Sequence, residues 1–329
     1  MARNAPLLKD VDLSYKDNAL RISYDDESTL EVWSKAFIDD RSMSFMLFGD
    51  EQFDKLTDEN ILMQMKAFAN KEQSKKYLKI NDPDELEYNV YRYYSNEESI
   101  KQLVTDISSF LRCKPLSASV DVAKNKGNVN FVEYTSWNGS GYDVPLNVAI
   151  LIAARSLKGN LTPRFIRFLS TIIIDYVGPE WRLGQHLEKL TGGVIKSRAF
   201  DTNLNLSKWS DGHIDFAKLA KAAIDDKGEK VVPPGLKKEM ARFGLDIIID
   251  ETVTYETYRI WSEEELENFV EYNFNDVLGT KIIGENEVIV SELAARDATR
   301  KLYPYTSARA VSLANIHDNS PAVRDITSA

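Results

Sequence analysis

Cysteine is nearly absent from this chain. Cys113 is the only one among 329 residues, so no disulfide can form within it, and a single thiol suits a reducing compartment. Histidine is scarce too: His186, His213 and His317 lie far apart, with no HxxxH or CxxC partner, which removes the usual zinc-ligand spacings. Neither a GxxxxGK phosphate loop nor a GxGxxG turn occurs, which argues against P-loop nucleotide hydrolysis and dinucleotide binding. Long apolar runs are missing as well. LNVAILIAA (146–154) and FLSTIIIDYV (168–177) are too short to span a bilayer and read as buried core helices. The segment MARNAPLLKDVDLSYKD has no apolar stretch of the signal-peptide kind. A cytoplasmic protein with no membrane partner is the expectation.

Positive charge is in deficit, with 41 Lys and Arg against 51 Asp and Glu and a net charge of −10. A passive nucleic-acid-binding module neutralises phosphates with Lys and Arg, so the balance argues against one. It leaves room for an enzyme whose carboxylates hold metal ions that in turn meet phosphate.

The hydrophobic pattern suggests α/β. Residues 19–25 (ALRISYD) alternate as a strand does, and 43–48 (MSFMLF) read as a buried strand. A polar helix is expected over 57–76. An amphipathic helix is expected over 96–112, with Ile100, Leu103, Ile107 and Leu111 on one stripe. Residues 117–136 read as two strands around Asn-Lys-Gly. Helices follow at about 145–157, 162–176, 214–224, 232–245 and 262–283, the last opened by Ser262 and Glu265 as a capping box. Strands early and helices late suit a mixed sheet covered by helices. The expected division is one domain over 1–288 and a polar tail or linker over 289–329.

Three segments carry the candidate chemistry. Asp25 and Glu27 end the first strand, and residues i and i+2 share a strand face, so both can reach one ion. Asn138, Tyr142, Asp143 and Pro145 stand between a strand and a helix. Tyr272 and Asp276 are one helical turn apart and stack on one face. Each segment also has a plain reading: a solvated acidic surface, an Asx turn starting a helix with Tyr142 in the core, and a core aromatic on the last helix. Trp137 and Phe131 read either as base-stacking platforms or as core. Trp33, Trp181, Trp209 and Trp261 read as packing residues.

Taken in order, these segments resemble the three exonuclease motifs of the DEDD nucleases of subtype y, as found in family B and related phage DNA polymerases. The resemblance is strongest at YTSWNGSGYDVPLN and FVEYNFNDVLGTKII, and it extends to HIDFAKLAK and PPGLKKEMARFGLDI. At the first motif Asp26 stands where the family has an apolar residue, and Ser28 where it has Thr. The resemblance implies an RNase H-like fold and a 3′→5′ exonuclease using two Mg²⁺ or Mn²⁺ ions. Asp25, Glu27 and Asp276 would hold the ion that activates water. Asp25 would bridge to a second ion, with Asp143 in that ion's outer sphere. Tyr272 would orient the attacking water, since tyrosine ordinarily keeps its proton to about pH 10. Asn138, Ser28 and Trp137 would meet the strand near its 3′ end. The implied partners are a single-stranded DNA 3′ end and a DNA polymerase, in the host cytoplasm for a phage-encoded protein. A domain that has lost its metal ligands and serves as a scaffold, or one acting on RNA, are the rival expectations.

Overall fold

The computed structural model describes residues 20–49, 56–116, 132–210, 212–220, 235–242, 244–245, 263–286, 289–290 and 293–294. The expected strand material at 117–131, Phe131, Trp261, Ser262 of the capping box, His317 and nearly all of the tail lie outside these residues, as does the Trp209 side chain.

Strands β1 (Leu20–Ser28), β2 (Val32–Ile38) and β3 (Ser42–Gly49) form an antiparallel meander. Side chains close both turns. The Thr29 hydroxyl accepts from the Val32 amide at 3.1 Å. The Asp39 carboxylate accepts from the amides of Arg41 and Ser42 at 2.6 and 2.8 Å, the local bonding that makes Asp a turn residue. Two helices, α1 (Asp58–Asn70) and α2 (Glu72–Leu78), then carry the chain to β4 (Glu87–Tyr94), parallel to β3. The single helix expected over 57–76 is broken at Lys71, whose backbone is extended (φ −64, ψ 140). Asn96 caps α3 (Glu97–Leu111) by accepting from the Ser99 amide. Strand β5 (Val132–Ser136) pairs parallel with β1, and β6 (His213–Asp215) parallel with β5. The sheet order is β4-β3-β2-β1-β5-β6. The fold is α/β, a mixed sheet flanked by helices.

Both faces of the sheet are covered. Tyr24, Trp33, Phe37 and Phe48 pack with α3 and α4 (Asp143–Leu157). The helices α5 (Pro163–Ile174), α6 (Leu183–Leu190) and α7 (Ser197–Ser210) extend that layer. Ala36, Phe45 and Leu47 pack with α1 and the long α10 (Glu263–Ile283). Each large apolar side chain buried this way contributes about 1.5–3 kcal/mol. Of the remaining short helices, α8 (Phe216–Ala220) follows β6, and α9 (Leu236–Arg242) lies against α10. Gly279 makes that contact possible, because a Cβ there would stand 2.6 Å from Met240 Sδ.

Strands β2 and β4 and helices α6 and α7 add to the sequence expectations. The helix expected from 214 begins instead as strand β6 and turns helical at Phe216. Cys113 is fully buried, with its backbone in the left-handed region (φ 55). No helix among the described residues is long and apolar enough to cross a membrane.

Candidate metal centre

Strand alternation divides β1 into two chemistries. Tyr24, Asp26 and Ser28 turn to the α3–α4 layer and are buried; Asp25 and Glu27 turn to α10 and are half-buried. There they meet Asp276, so that one carboxylate oxygen from each of Asp25, Glu27 and Asp276 lies within 4.8 Å of the others. This is the one His, Cys, Asp and Glu cluster of its kind among the described residues, and it can hold a metal ion. The donor set is all hard oxygen, the type that suits Mg²⁺ or Mn²⁺.

Asp143 approaches from the side. It is the first residue of α4 and is buried, and its Oδ1 accepts from the Asp26 amide at 3.1 Å. A helix N-terminus is a favourable place for a carboxylate. The loop before it is tightly built. Asn138 is exposed and left-handed (φ 64). Its carbonyl accepts from the amides of Gly141 and Tyr142 at 2.9 and 3.2 Å. Gly139 is required, because a Cβ there would run into the Ser136 and Tyr24 hydroxyls. Asp215 at the end of β6 clamps the loop. It accepts from the Asn138 amide at 2.9 Å, from the Ser140 amide at 3.3 Å and from the Ser140 hydroxyl. Asp215 escaped the sequence reading, although HIDFAKLAK, which holds it, was part of the resemblance.

The electrostatics are those of crowded anions. Loss of hydration, then Asp143, Glu27 and Asp276, push Asp25 well above the ordinary carboxylate range. Burial and Asp276 do the same to Glu27, and burial and Asp26 to Asp143. Burial raises Asp276, with Lys237 opposing. Lys237 of α9 is ion-paired to Asp276, and its ammonium lies 4.4 Å above the centre of the Tyr272 ring. Its place beside the cluster could not be read from PPGLKKEM, since the pairing spans 39 residues of chain.

Asp26, the departure in the first motif, has its own explanation. On the opposite face of β1 it meets Lys35, its cross-strand neighbour on β2, at 2.6 Å, with both side chains fully buried. The Lys35 ammonium also lies 4.3 Å over the Tyr24 ring and 3.9 Å over Phe110, a favourable cation–π arrangement. Asn147 donates to Asp26 Oδ2 at 2.7 Å and to the Asp143 carbonyl at 2.8 Å. Removing one partner of a buried pair strands the other charge, at a cost of about 3–5 kcal/mol, whereas an apolar pair of similar volume is often neutral. Lys35→Met alone is therefore expected to lose about 3–5 kcal/mol, and Lys35→Met with Asp26→Leu to recover most of it. Urea unfolding of both variants checks this; equal stability of the two would refute the pairing argument.

Tyr272 is half-buried on α10, one turn before Asp276. Ser28 is buried at the end of β1. Trp137 is half-buried and packs on a small cluster with Ile214, Phe216 and Ile283. His213 is held neutral, its pKa lowered to about 3 by burial and by Lys35, and it stacks on Tyr134. Trp33 is core, as expected, whereas Trp181 is exposed with Arg182 stacked on it at 4.5 Å.

No protein-family model, curated protein or solved structure matches the chain.

The raised carboxylates give a pH signature. Folded, they keep protons to higher pH than unfolded, so from the ordinary carboxylate range near pH ~4 up to their raised values stability falls as pH rises. Below that range their contribution is fully present. Asp25→Asn is expected to flatten this slope in EDTA, and saturating Mg²⁺ to oppose it. His213 has the opposite sign, stabilising above about pH 6.5 and losing that contribution as pH falls, so the parent-minus-variant difference is the quantity to follow. Thermal melts in EDTA from about pH 4.5 to 8 measure it; a difference independent of pH would contradict the shifts.

Proposed function

We propose that this chain is a metal-dependent 3′→5′ exonuclease acting on single-stranded DNA ends, of the DEDD type with tyrosine, and that it proofreads for a phage-type DNA polymerase. The observation that carries the reading is the convergence of Asp25, Glu27 and Asp276 from a strand and a distant helix. Asp143 is close enough to raise two of them. These are the four carboxylates that the motif resemblance implies. The pairing of Asp26 with Lys35 adds support, because the departure in the first motif points away from the cluster and leaves Asp25 and Glu27 in place. A mixed sheet with β1 inside it is the arrangement an RNase H-like domain calls for.

Two divalent ions bound about 4 Å apart would supply a hydroxide near neutral pH and relieve charge on the leaving oxygen. The chain's own part is to arrange the rest. Asp25, Glu27 and Asp276 would supply the donor oxygens, and Asp143, held by the Asp26 amide at the start of α4, would add its charge from the side. Tyr272 orients the attacking water from the turn before Asp276. The Asn138 loop, clamped by Asp215, would meet the strand near its 3′ end.

The test is cleavage of single-stranded DNA labelled at either end. In Mg²⁺ the 5′-labelled strand should shorten as a ladder while the 3′ label is released at once as a mononucleotide, and EDTA should stop both. An intact strand in Mg²⁺ and in Mn²⁺ would refute the nuclease reading and favour a scaffold. Preference for RNA over DNA would correct the substrate alone.

A further inference from the structure

Where β1 ends, just after Glu27, lies a cation with no anion among the described residues. Helix α5, sequence PRFIRFLSTIII, carries no acidic residue in a chain of net charge −10. Its Arg167 is half-buried and donates through Nη1 to the Ser28 carbonyl at 3.1 Å and to the Ser28 hydroxyl at 3.4 Å. Its Nε is buried and has no hydrogen-bond partner among the described residues. Among the described residues no carboxylate pairs with it. Lys35 and Lys237 differ: Lys35 is paired with Asp26, and Lys237 with Asp276. Leaving a half-buried charge unpaired is costly, and an arginine fork fits a phosphate through two parallel N–H bonds.

The helix is tied to the metal centre at two points less than one turn apart. Arg167 holds the residue that follows Glu27. Ser170 shares a 2.8 Å hydrogen bond with the hydroxyl of Tyr142, the residue before Asp143. So α5 borders the ends of both segments that bear metal ligands. Arg164 and Phe168 share an outward face of α5 at the i, i+4 spacing, and both are exposed, Phe168 by 43%; Arg167, three residues after Arg164, stands at the edge of that face on the side turned to Ser28. Arginines beside an exposed aromatic ring make a platform for a single strand, with charge on the backbone and a ring for a base.

We propose that Arg167 binds a backbone phosphate of the single-stranded DNA substrate and that the outward face of α5 guides the strand into the metal centre. This rests on the nuclease reading and names the residue that grips its substrate. The test measures binding of a 5′-fluorescein oligothymidylate in Ca²⁺ by anisotropy across KCl concentrations, together with Mg²⁺ cleavage. Arg167→Ala should weaken binding about tenfold and reduce the slope of log K against log salt by about 0.7, the single-strand value for one phosphate contact. The cleavage defect should fall on KM rather than on kcat.

Two further variants separate charge from structure. Arg167→Gln keeps a donor for the Ser28 carbonyl and deletes the charge, so it should lose slope as the alanine variant does. Arg167→Lys should keep the slope. If Arg167→Gln binds like the parent with an unchanged slope while the parent cleaves, the phosphate assignment is overturned and the nuclease reading stands. If the parent neither binds nor cleaves single strands, both are overturned.

Discussion

Asp25→Asn is expected to slow single-strand cleavage by at least about 10³-fold while leaving the metal-free protein as stable as the parent or more so. Asp25 is the member of the cluster pressed by the most neighbours: Asp143, Glu27 and Asp276, with Asp26 behind them, all raise it. On the proposed reading Asp25 would serve both ions, so its loss would unmake both sites. Removing a single well-placed transition-state donor already costs about 10²–10³ in rate, and losing a bridging ligand should cost no less. The stability result follows from the same crowding. Without metal the carboxylates repel one another and resist ionisation, and asparagine keeps the shape while deleting one charge. Single-turnover cleavage and a thermal melt in EDTA check the two halves separately. A variant that unfolds would give Asp25 a structural role; one that cleaves at the parent's rate would remove it from the chemistry.

Tyr272→Phe is expected to slow cleavage by about 10²–10³-fold with metal binding and strand affinity nearly unchanged. Tyr272 lies one turn before Asp276 on α10, and residues at that spacing share a helical face. Phenylalanine keeps the ring beneath the Lys237 ammonium and deletes only the hydrogen-bonding group. One such bond in a transition state is worth about 2.7–4 kcal/mol. Single-turnover cleavage of a 3′-labelled strand at saturating Mg²⁺ is the measurement. A rate within about twofold of the parent would make Tyr272 a packing residue and remove the tyrosine subtype.

The acidic residues of the site were legible because each sits on a local pattern. Asp25 and Glu27 share a face by strand alternation, and Asp143 begins a helix after a glycine-rich turn. Asp276 lies one turn after Tyr272 on a long helix. What local pattern does not carry is the partner. Lys35 in VWSKAFI reads as an interruption of a strand, because β2 is buried on both faces and so shows no alternation to mark it. Its meaning appears only when β1 lies beside it and Asp26 faces it across the pair. Asp215 and Lys237 reach the site over 77 and 39 residues of chain. Arg167 reaches Ser28 over 139.

The elements missed have similar causes. Strand β6 is three residues long, too short for periodicity to register, and only pairing with β5 makes it a strand. Strand β4 is an edge strand of intermediate burial with Tyr, Asn and Arg intermixed, so its two faces are poorly distinguished. The break between α1 and α2 at Lys71 follows no proline or glycine. Asn70, a residue that often marks a helix end, is the one local signal there.

The central claim is that the four carboxylates form a two-ion site, and the most direct measurement is anomalous diffraction from crystals soaked in Mn²⁺ with a nucleoside monophosphate. The account predicts two manganese peaks about 4 Å apart, with Asp25 oxygens on both, Glu27 and Asp276 on one, and the phosphate of the nucleotide between the ions. Crystals of Asp25→Asn should show neither peak at the same soak concentration. No manganese within about 3 Å of Asp25, Glu27 or Asp276 in the parent at saturating metal, well beyond a hard-oxygen coordination bond, would contradict the account.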